Sequence, residues 1–328
     1  MRIAIDAMGG DNAPLEIVKG TYLSAVENPA VDILLIGDKA KILEAFKEVE
    51  GEFPNNVKIV HTNVEISMED DPMVVMKEKS DSSMAIGLSM LKENEADVFL
   101  SAGNTGALHV GSTLMVRKIK GVRRSAIATI LPFKTPILML DAGANPEVTE
   151  DILQQWAIIG AKYAEIMLSI NNPRVGLLNN GTEENKGTPV HQAAHQLLVE
   201  NENINFVGNI ESKQIPHSPC DVLVTDGFTG NIVLKLIEGL GMYMFSSLKD
   251  MFTSNLLTKL SYTTMKAQLK EFKMMFDASE YGGAPFLGLS KPVFKAHGSS
   301  KAYDFYNAIK QAKRCCELDV IGTISNLL

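Results

Sequence analysis

Short apolar runs closed by glycine-rich turns, each followed by a pattern of helical period, repeat along most of the chain. The first run, Ile3 to Ile5, ends in Asp6 and breaks into Gly9-Gly10-Asp11, with Pro14 placed to open a helix over residues 15–26. The same grammar predicts strands at 31–36, 57–61, 97–100, 126–131, 137–140, 174–178, 205–208, 222–225 and 293–296. Helices are predicted at 39–49, 107–116, 149–167, 189–200 and 302–318. Residues 72–95 read as largely helical with an interruption at Ser80-Asp81-Ser82-Ser83 that could cap a second helix, and residues 281–284 read as a turn. Strands and helices alternating at this spacing require βαβ crossovers, which predicts an α/β fold with a mostly parallel sheet covered by helices on both faces.

Residues 231–276 break the alternation. Ile232, Leu236, Leu240, Tyr243 and Phe252, then Leu256, Leu260, Met265, Leu269, Phe272 and Phe276, recur at near-helical spacing. They predict two consecutive amphipathic helices that add no strand and project from the sheet. An interface between copies of the chain is the first reading of that apolar face; membrane-surface contact, flanked by Lys259, Lys266, Lys270 and Lys273, is the second. Periodicity alone favours the interface. No linker rich in Pro, Gly or Ser divides the chain, so residues 1–328 are expected to form a single α/β/α catalytic domain carrying 231–276 as a helical projection.

Composition narrows the function classes. The chain has 328 residues, 45% of them hydrophobic, enough for a substantial core. Its formal net charge of −8 argues against general nucleic-acid binding, which needs an extended basic surface. Cys220, Cys315 and Cys316 form neither a disulfide framework nor a zinc pattern, which fits a reducing cytoplasm. Neither a signal-peptide pattern nor a long apolar run is present, so a soluble protein is expected, lying at most on a membrane surface.

The turns carry the candidate chemistry. Ser101–Gly106, Thr225–Asn231 and His297–Ser300 combine glycine with hydroxyl and amide side chains where strands give way to helices, the make-up of an anion site. Any single glycine-rich turn is explained by backbone geometry alone; three that converge point to a phosphate or phosphate-bearing ligand. Neither Gly-x-Gly-x-x-Gly nor the P-loop pattern occurs, Gly-x-Ser-x-Gly is missing, and no cysteine sits in a glycine-rich turn. Chemistry without a cofactor and without a covalent enzyme intermediate is therefore expected. His191 and His195 have zinc-compatible spacing but lack the glutamate of the metalloprotease motif, and read as a helix face. His297, opening a Gly-Ser-Ser turn, is the histidine best placed to donate to a ligand oxygen or to shuttle a proton. Asp6, Asp11, Asp141 and Asp226 read as caps of turns and helices in preference to a Mg²⁺ site. Arg117, Lys118, Lys120, Arg123 and Arg124 form the densest basic cluster, either a solvated loop or a dock for an acidic partner.

Six segments taken together resemble one family. Ile5-Asp6-Ala7-Met8-Gly9-Gly10-Asp11, Ser101-Ala102-Gly103-Asn104-Thr105-Gly106-Ala107, Asp141-Ala142-Gly143-Ala144-Asn145, Gly181-Thr182-Glu183, Thr225-Asp226-Gly227-Phe228-Thr229-Gly230-Asn231 and Lys295-Ala296-His297-Gly298-Ser299-Ser300 resemble, in order, motifs of the PlsX family. These are bacterial phosphate acyltransferases of phospholipid synthesis. Asn12 stands where histidine is often expected in the first motif. The resemblance implies transfer of a long-chain acyl group from acyl carrier protein to inorganic phosphate. It also implies a homodimer with the three-layer, Rossmann-like fold of the isocitrate and isopropylmalate dehydrogenase group, and peripheral membrane association. On that basis Asn104, Thr105, Ser299 and Ser300 are expected to bind phosphate, with Lys186, Asn231 or His297 holding phosphate or the developing oxyanion. Arg117, Lys118, Lys120, Arg123 and Arg124 are the expected carrier-protein dock, and Met242, Met244, Phe245, Met251 and Phe252 an apolar surface for the acyl chain. A coenzyme A-dependent phosphotransacetylase, a metal-dependent decarboxylating dehydrogenase and a non-enzymatic membrane scaffold are the alternatives.

Overall fold

The computed structural model describes residues 1–274 and 281–327. They fall into two compact units: Met1–Thr129, Lys162–Asn171 and Ser279–Leu328 form one, and Ile130–Ala161 and Asn172–Ala278 the other. In chain order the elements begin β1 (Arg2–Asp6), α1 (Leu15–Glu27), β2 (Asp32–Gly37), α2 (Lys39–Phe46), β3 (Val57–His61), α3 (Ser83–Lys92), β4 (Val98–Ser101), α4 (Thr105–Gly111), β5 (Ala126–Leu131), β6 (Ile137–Leu140) and α5 (Glu150–Met167). They continue β7 (Arg174–Asn179), α6 (Pro189–Val199), β8 (Asn205–Glu211), β9 (Val222–Val224), α7 (Gly227–Thr253), α8 (Leu256–Met274), β10 (Gly283–Leu287), β11 (Val293–Ala296), α9 (Ala302–Glu317) and α10 (Val320–Leu327).

In the first unit the strands run in the order β3-β2-β1-β4-β11-β10-β5. All neighbouring pairs are parallel except those of β10, which is antiparallel to both β11 and β5. Strands β1, β4 and β11 are almost wholly buried, so they read as continuous apolar runs, as parallel strands covered on both faces do. Helix α3 packs on β1, β2 and β4, while α9 packs on β4, β10 and β11 and against α1. Short polar side chains set the helix starts: Asp38 accepts from the Ala40 N–H at 2.8 Å, Ser82 from Ala85, and Glu16 receives the Ala302 N–H at 2.8 Å where α9 begins. The second unit carries the fully parallel order β6-β9-β7-β8. Within it α7 and α8 pack on one another, with Phe245 and Phe272 ring centroids 5.7 Å apart.

The α/β class and mostly parallel strands follow the sequence pattern, with four local differences. Residues 72–95 hold a 3₁₀ turn, Pro72–Met76, before α3. Helix α4 is short and is continued by a π turn over Ser112–Val116. Residues 283–287, read in part as a turn, form β10, and α10 follows α9 where no helix is predicted. The helical pair is present as α7 and α8; Phe276 lies outside the described residues, as do the side chains of Leu256, Lys259, Leu260, Lys270 and Lys273.

Candidate active site

Because β1, β4 and β11 are adjacent and parallel, the loops that follow them leave the same edge of the first unit's sheet, where α/β proteins bind ligands. The loops touch. The Asp11 N–H donates to the Gly298 carbonyl at 2.8 Å, and the Asn12 amide donates to the carbonyls of Ser299 at 3.1 Å and Ser300 at 3.3 Å. Gly9 must be glycine, because a Cβ there would lie 2.6 Å from the Gly103 nitrogen and 2.7 Å from an Asp6 carboxylate oxygen.

A buried polar network lies beneath these loops. The Asp6 carboxylate accepts from the Ser83 hydroxyl at 2.6 Å, the Ser101 hydroxyl at 2.7 Å and the Met8 N–H at 3.1 Å. Ser101 in turn accepts the Gly103 N–H at 3.0 Å, so Asp6 sets the course of the loop after β4. Burial raises the Asp6 pKa, against the lowering effect of its hydrogen bonds. Lys295, on β11, donates to the Ala102 carbonyl at 3.0 Å and to the Ala296 carbonyl. Burial pushes its ammonium down to about 8, although Asp6 and Asp11 favour the charged form.

The expected phosphate ligands sit within or beside these loops, in different states. Both ends of the Asn104 amide are committed: Oδ1 accepts from the Ala107 N–H at 3.0 Å, and Nδ2 donates to the carbonyls of Ser67, Met68 and Asp70 at 3.0–3.2 Å. Its side chain thus frames the loop and caps α4. Thr105 opens α4, and Ser300 is buried, its N–H bonded to the His297 carbonyl at 3.1 Å. Ser299 and His297 are exposed, with Ser299 Oγ 2.8 Å from His297 Nδ1. The Ser299 N–H also points at His297 Nδ1, at 3.3 Å, so this ring nitrogen faces the Ser299 backbone and side chain together.

In the second unit, Asp141 is fully buried and accepts from the N–H groups of Gly143, Ala144 and Asn145 and from the Asn145 amide, at 2.7–3.1 Å. Asp226 caps α7 through the Thr229 N–H at 2.8 Å and hydroxyl at 2.7 Å. These two carboxylates act as the turn and helix caps the sequence suggests, whereas Asp6 binds two hydroxyls. Gly230 permits the closest approach: a Cβ there would lie 1.9 Å from the Asp141 carbonyl. Asn231, one residue on, lies against Gly143. Lys186 is half exposed, its ammonium 3.8 Å from Glu183. The loop that carries both is held by Asn209, which donates to the Glu183 carbonyl at 2.8 Å and bonds the buried His195 at 3.0 Å. His191 instead bonds Thr188 at 2.8 Å, so the two histidines of α6 have separate partners.

Arg117, Lys120, Arg123 and Arg124 are exposed and Lys118 is partly so, on a loop of the first unit pinned by buried Ile119 and Val122. Of the acyl-surface candidates, Met244 and Met251 line a cleft of about 510 Å³ between α7 and α8, with Leu248, Met265, Leu269 and Phe272; Met242 is exposed, Phe245 packs on Phe272 and Phe252 on Tyr262.

Comparison with known proteins decides the family. The family described as fatty acid synthesis protein matches residues 1–323. A relative from Thermoanaerobacterium thermosaccharolyticum, named phosphate acyltransferase, is 47% identical over 99% of this chain and 96% of its own length. One of the same name from Geobacillus sp. is 44% identical over 100% of this chain and 98% of its own. The chain belongs to the phosphate acyltransferase family. The resemblance drawn from the six segments is therefore correct.

Solved structures agree on the fold. A phosphotransacetylase from Streptococcus pyogenes superposes with a TM-score of 0.65 at 18% identity, covering 97% of this chain and 94% of that one. A 4-hydroxythreonine-4-phosphate dehydrogenase from Klebsiella pneumoniae gives 0.55 at 14% identity, covering 96% and 98%. Within this phosphate acyltransferase family member, sequence reasoning passed over Lys295, Ser83 and the anchoring role of Asn12. Lys295 does open the segment that ends in Ser300, which was its one available signal.

Proposed function

We propose that this chain transfers a long-chain acyl group from acyl carrier protein to inorganic phosphate, releasing acyl phosphate for phospholipid synthesis. Membership of the phosphate acyltransferase family over essentially the whole chain carries the reading. The loops of the first unit support it, because they bring hydroxyl side chains and an imidazole, those of Thr105, Ser299 and His297, to the carboxyl ends of parallel strands. An unprotonated phosphate oxygen attacks the thioester carbonyl carbon, and the tetrahedral intermediate collapses with cleavage of the C–S bond. The proton of hydrogen phosphate ends on the departing thiolate. Phosphate is already anionic at neutral pH, so positioning contributes more than a strong base.

In this reading phosphate lies among Asn104, Thr105, Ser299 and Ser300, Asn104 framing the loop after β4, and His297 donates to phosphate or to the oxyanion. Lys186 and Asn231 are, with His297, the residues this reading assigns to holding phosphate or the developing oxyanion. Arg117, Lys118, Lys120, Arg123 and Arg124 dock the acidic carrier protein. Homodimer formation, peripheral membrane contact, a cytoplasmic location and the three-layer isocitrate dehydrogenase-like arrangement of a single catalytic domain belong to the same reading. The test is phosphate-dependent release of thiol from long-chain acyl carrier protein with acyl phosphate detected directly. Equal amounts of both products support the assignment. Turnover of acyl coenzyme A in preference to the carrier-bound donor would replace it with a phosphotransacetylase, and vesicle binding with neither product would leave a scaffold.

A further inference from the structure

The loops after β1, β4 and β11 rest on a buried cation that the proposed chemistry does not use. Lys295 is only 8% exposed, yet it makes no ion pair among the described residues. Two of its three ammonium hydrogens go to backbone carbonyls, Ala102 in the loop after β4 and Ala296 at the start of the loop after β11. The first carbonyl precedes Gly103 and Thr105; the second precedes His297, Ser299 and Ser300. One side chain therefore ties together the two loops expected to hold phosphate. The titratable groups that face it are Asp6 at the end of β1 and Asp11 in the following loop. Its strand neighbours, Ser101 on β4 and Ala284 on β10, are uncharged, and no group on the adjoining α9 acts on it. Asp6 is itself held by Ser83 and Ser101, so it balances the field without capping the ammonium.

We infer that Lys295 is a positioning residue of the phosphate site, its buried ammonium clamping the two loops together and biasing them toward an anion. The inference rests on the phosphate-acyltransferase reading but makes a claim about anion binding that does not need turnover. Deprotonation should release both effects at once. The linkage signs then oppose each other. A lysine whose folded value is about 8, against an ordinary 10.5, destabilises the fold while charged, so stability rises as pH climbs between those values. Phosphate affinity falls over the same interval. A residue with only a structural role would not separate the two.

The experiment measures inorganic phosphate binding by calorimetry and thermal unfolding, on wild type and Lys295→Met, from about pH 6 to about pH 10. Wild type should lose affinity as pH rises through about 8 while its stability holds or improves relative to the variant. Lys295→Met should bind phosphate at least about tenfold more weakly at neutral pH and lack that alkaline limb. In turnover, the phosphate KM should rise while the acyl-donor KM stays within about twofold. Wild-type phosphate affinity in the variant overturns the inference, as does an alkaline limb that survives the substitution. If the variant does not fold, a wild-type affinity that is flat through pH 8, or absent, overturns it equally. Phosphate binding that behaves as expected, with no acyl phosphate formed, would sink the activity reading and leave the role of Lys295 standing.

Discussion

Asn12 shows how much one side chain can decide in this protein. It stands where the family resemblance leads one to expect histidine, and its amide donates to two successive carbonyls, those of Ser299 and Ser300. Both acceptors belong to the loop expected to bind phosphate, while the Asp11 N–H fixes Gly298 from the same side. Histidine could reach one carbonyl through a ring N–H; asparagine reaches both through one NH₂ group. Asn12→Ala should therefore loosen the 297–300 loop with little effect on the fold, since the lost bonds are at or near the surface. We expect a phosphate KM raised about tenfold, equivalent to about 1.4 kcal/mol, with global stability lowered by about 1 kcal/mol or less. Steady-state kinetics and chemical denaturation check the two halves separately; an unchanged KM would show that the anchor is dispensable. Asp6 and Lys295 are the counter-example in legibility. Strand alternation suggests that a lysine within Val293-Phe294-Lys295-Ala296 faces water, but β11 is buried at every position and its lysine with it. Asp6 looks like a turn cap in the sequence, because nothing in a linear pattern brings Ser83 and Ser101 to it from 77 and 95 residues away.

Among the elements, those with a strong period were legible and those set by tertiary contacts were not. Strands β1, β2, β4, β5, β6 and β7 follow from their apolar runs. Strand β10 was obscured because Gly283-Ala284-Pro285 carries turn residues; its place is set by pairing with β11 and β5 on either side. Helix α10 begins after Asp319 adopts a left-handed φ of 43°, a break that hides it behind α9. The end of β7 illustrates an element boundary held by charge. Arg174 donates to Asp221 from its backbone N–H at 2.8 Å, from Nε at 3.1 Å and from Nη2 at 2.9 Å, and to the carbonyls of Ser218 and Pro219. It thereby ties β7 to the turn that leads into β9. Burial works to raise the Asp221 carboxyl, but the Arg174 hydrogen bonds and charge overcome it and hold the group below its ordinary 3.8. A depressed carboxylate contributes stability above its unfolded value and loses it as pH falls through the folded one. Asp221→Asn should thus cost about 2 kcal/mol at neutral pH, the worth of a hydrogen-bonded charged group, and progressively less below about pH 4. Urea titrations at neutral and acid pH test this; a pH-independent loss would assign the effect to shape alone.

At the scale of the whole molecule, an apolar stripe on α7 stands exposed among the described residues. Phe228, Ile232, Leu236, Leu240 and Tyr243 recur every three or four residues along α7, and all are exposed, Leu236 by 66% and Tyr243 by 70%. A continuous stripe of this kind on a soluble surface marks a contact with something else, a second copy or a lipid surface. Its origin matters, because Phe228 lies in the first turn of α7, which Asp226 caps and whose Gly230 packs on Asp141. Whatever covers the stripe is therefore coupled, along a single helix, to the amino-terminal turns of α7 that carry Asn231. No helix among the described residues is long and apolar enough to cross a membrane. The proposed homodimer gives the sharper expectation. Burying a leucine is worth about 1.5–3 kcal/mol, so a Leu236→Glu, Leu240→Glu double substitution should weaken self-association by at least about a hundredfold. Sedimentation should then show a monomer at concentrations where wild type is a dimer. Because the fold of each α/β unit does not depend on that face, thermal unfolding of the monomer should remain cooperative. A dimer that persists, accompanied by lost flotation with anionic vesicles, would instead assign the stripe to lipid and leave the dimer contact to another face.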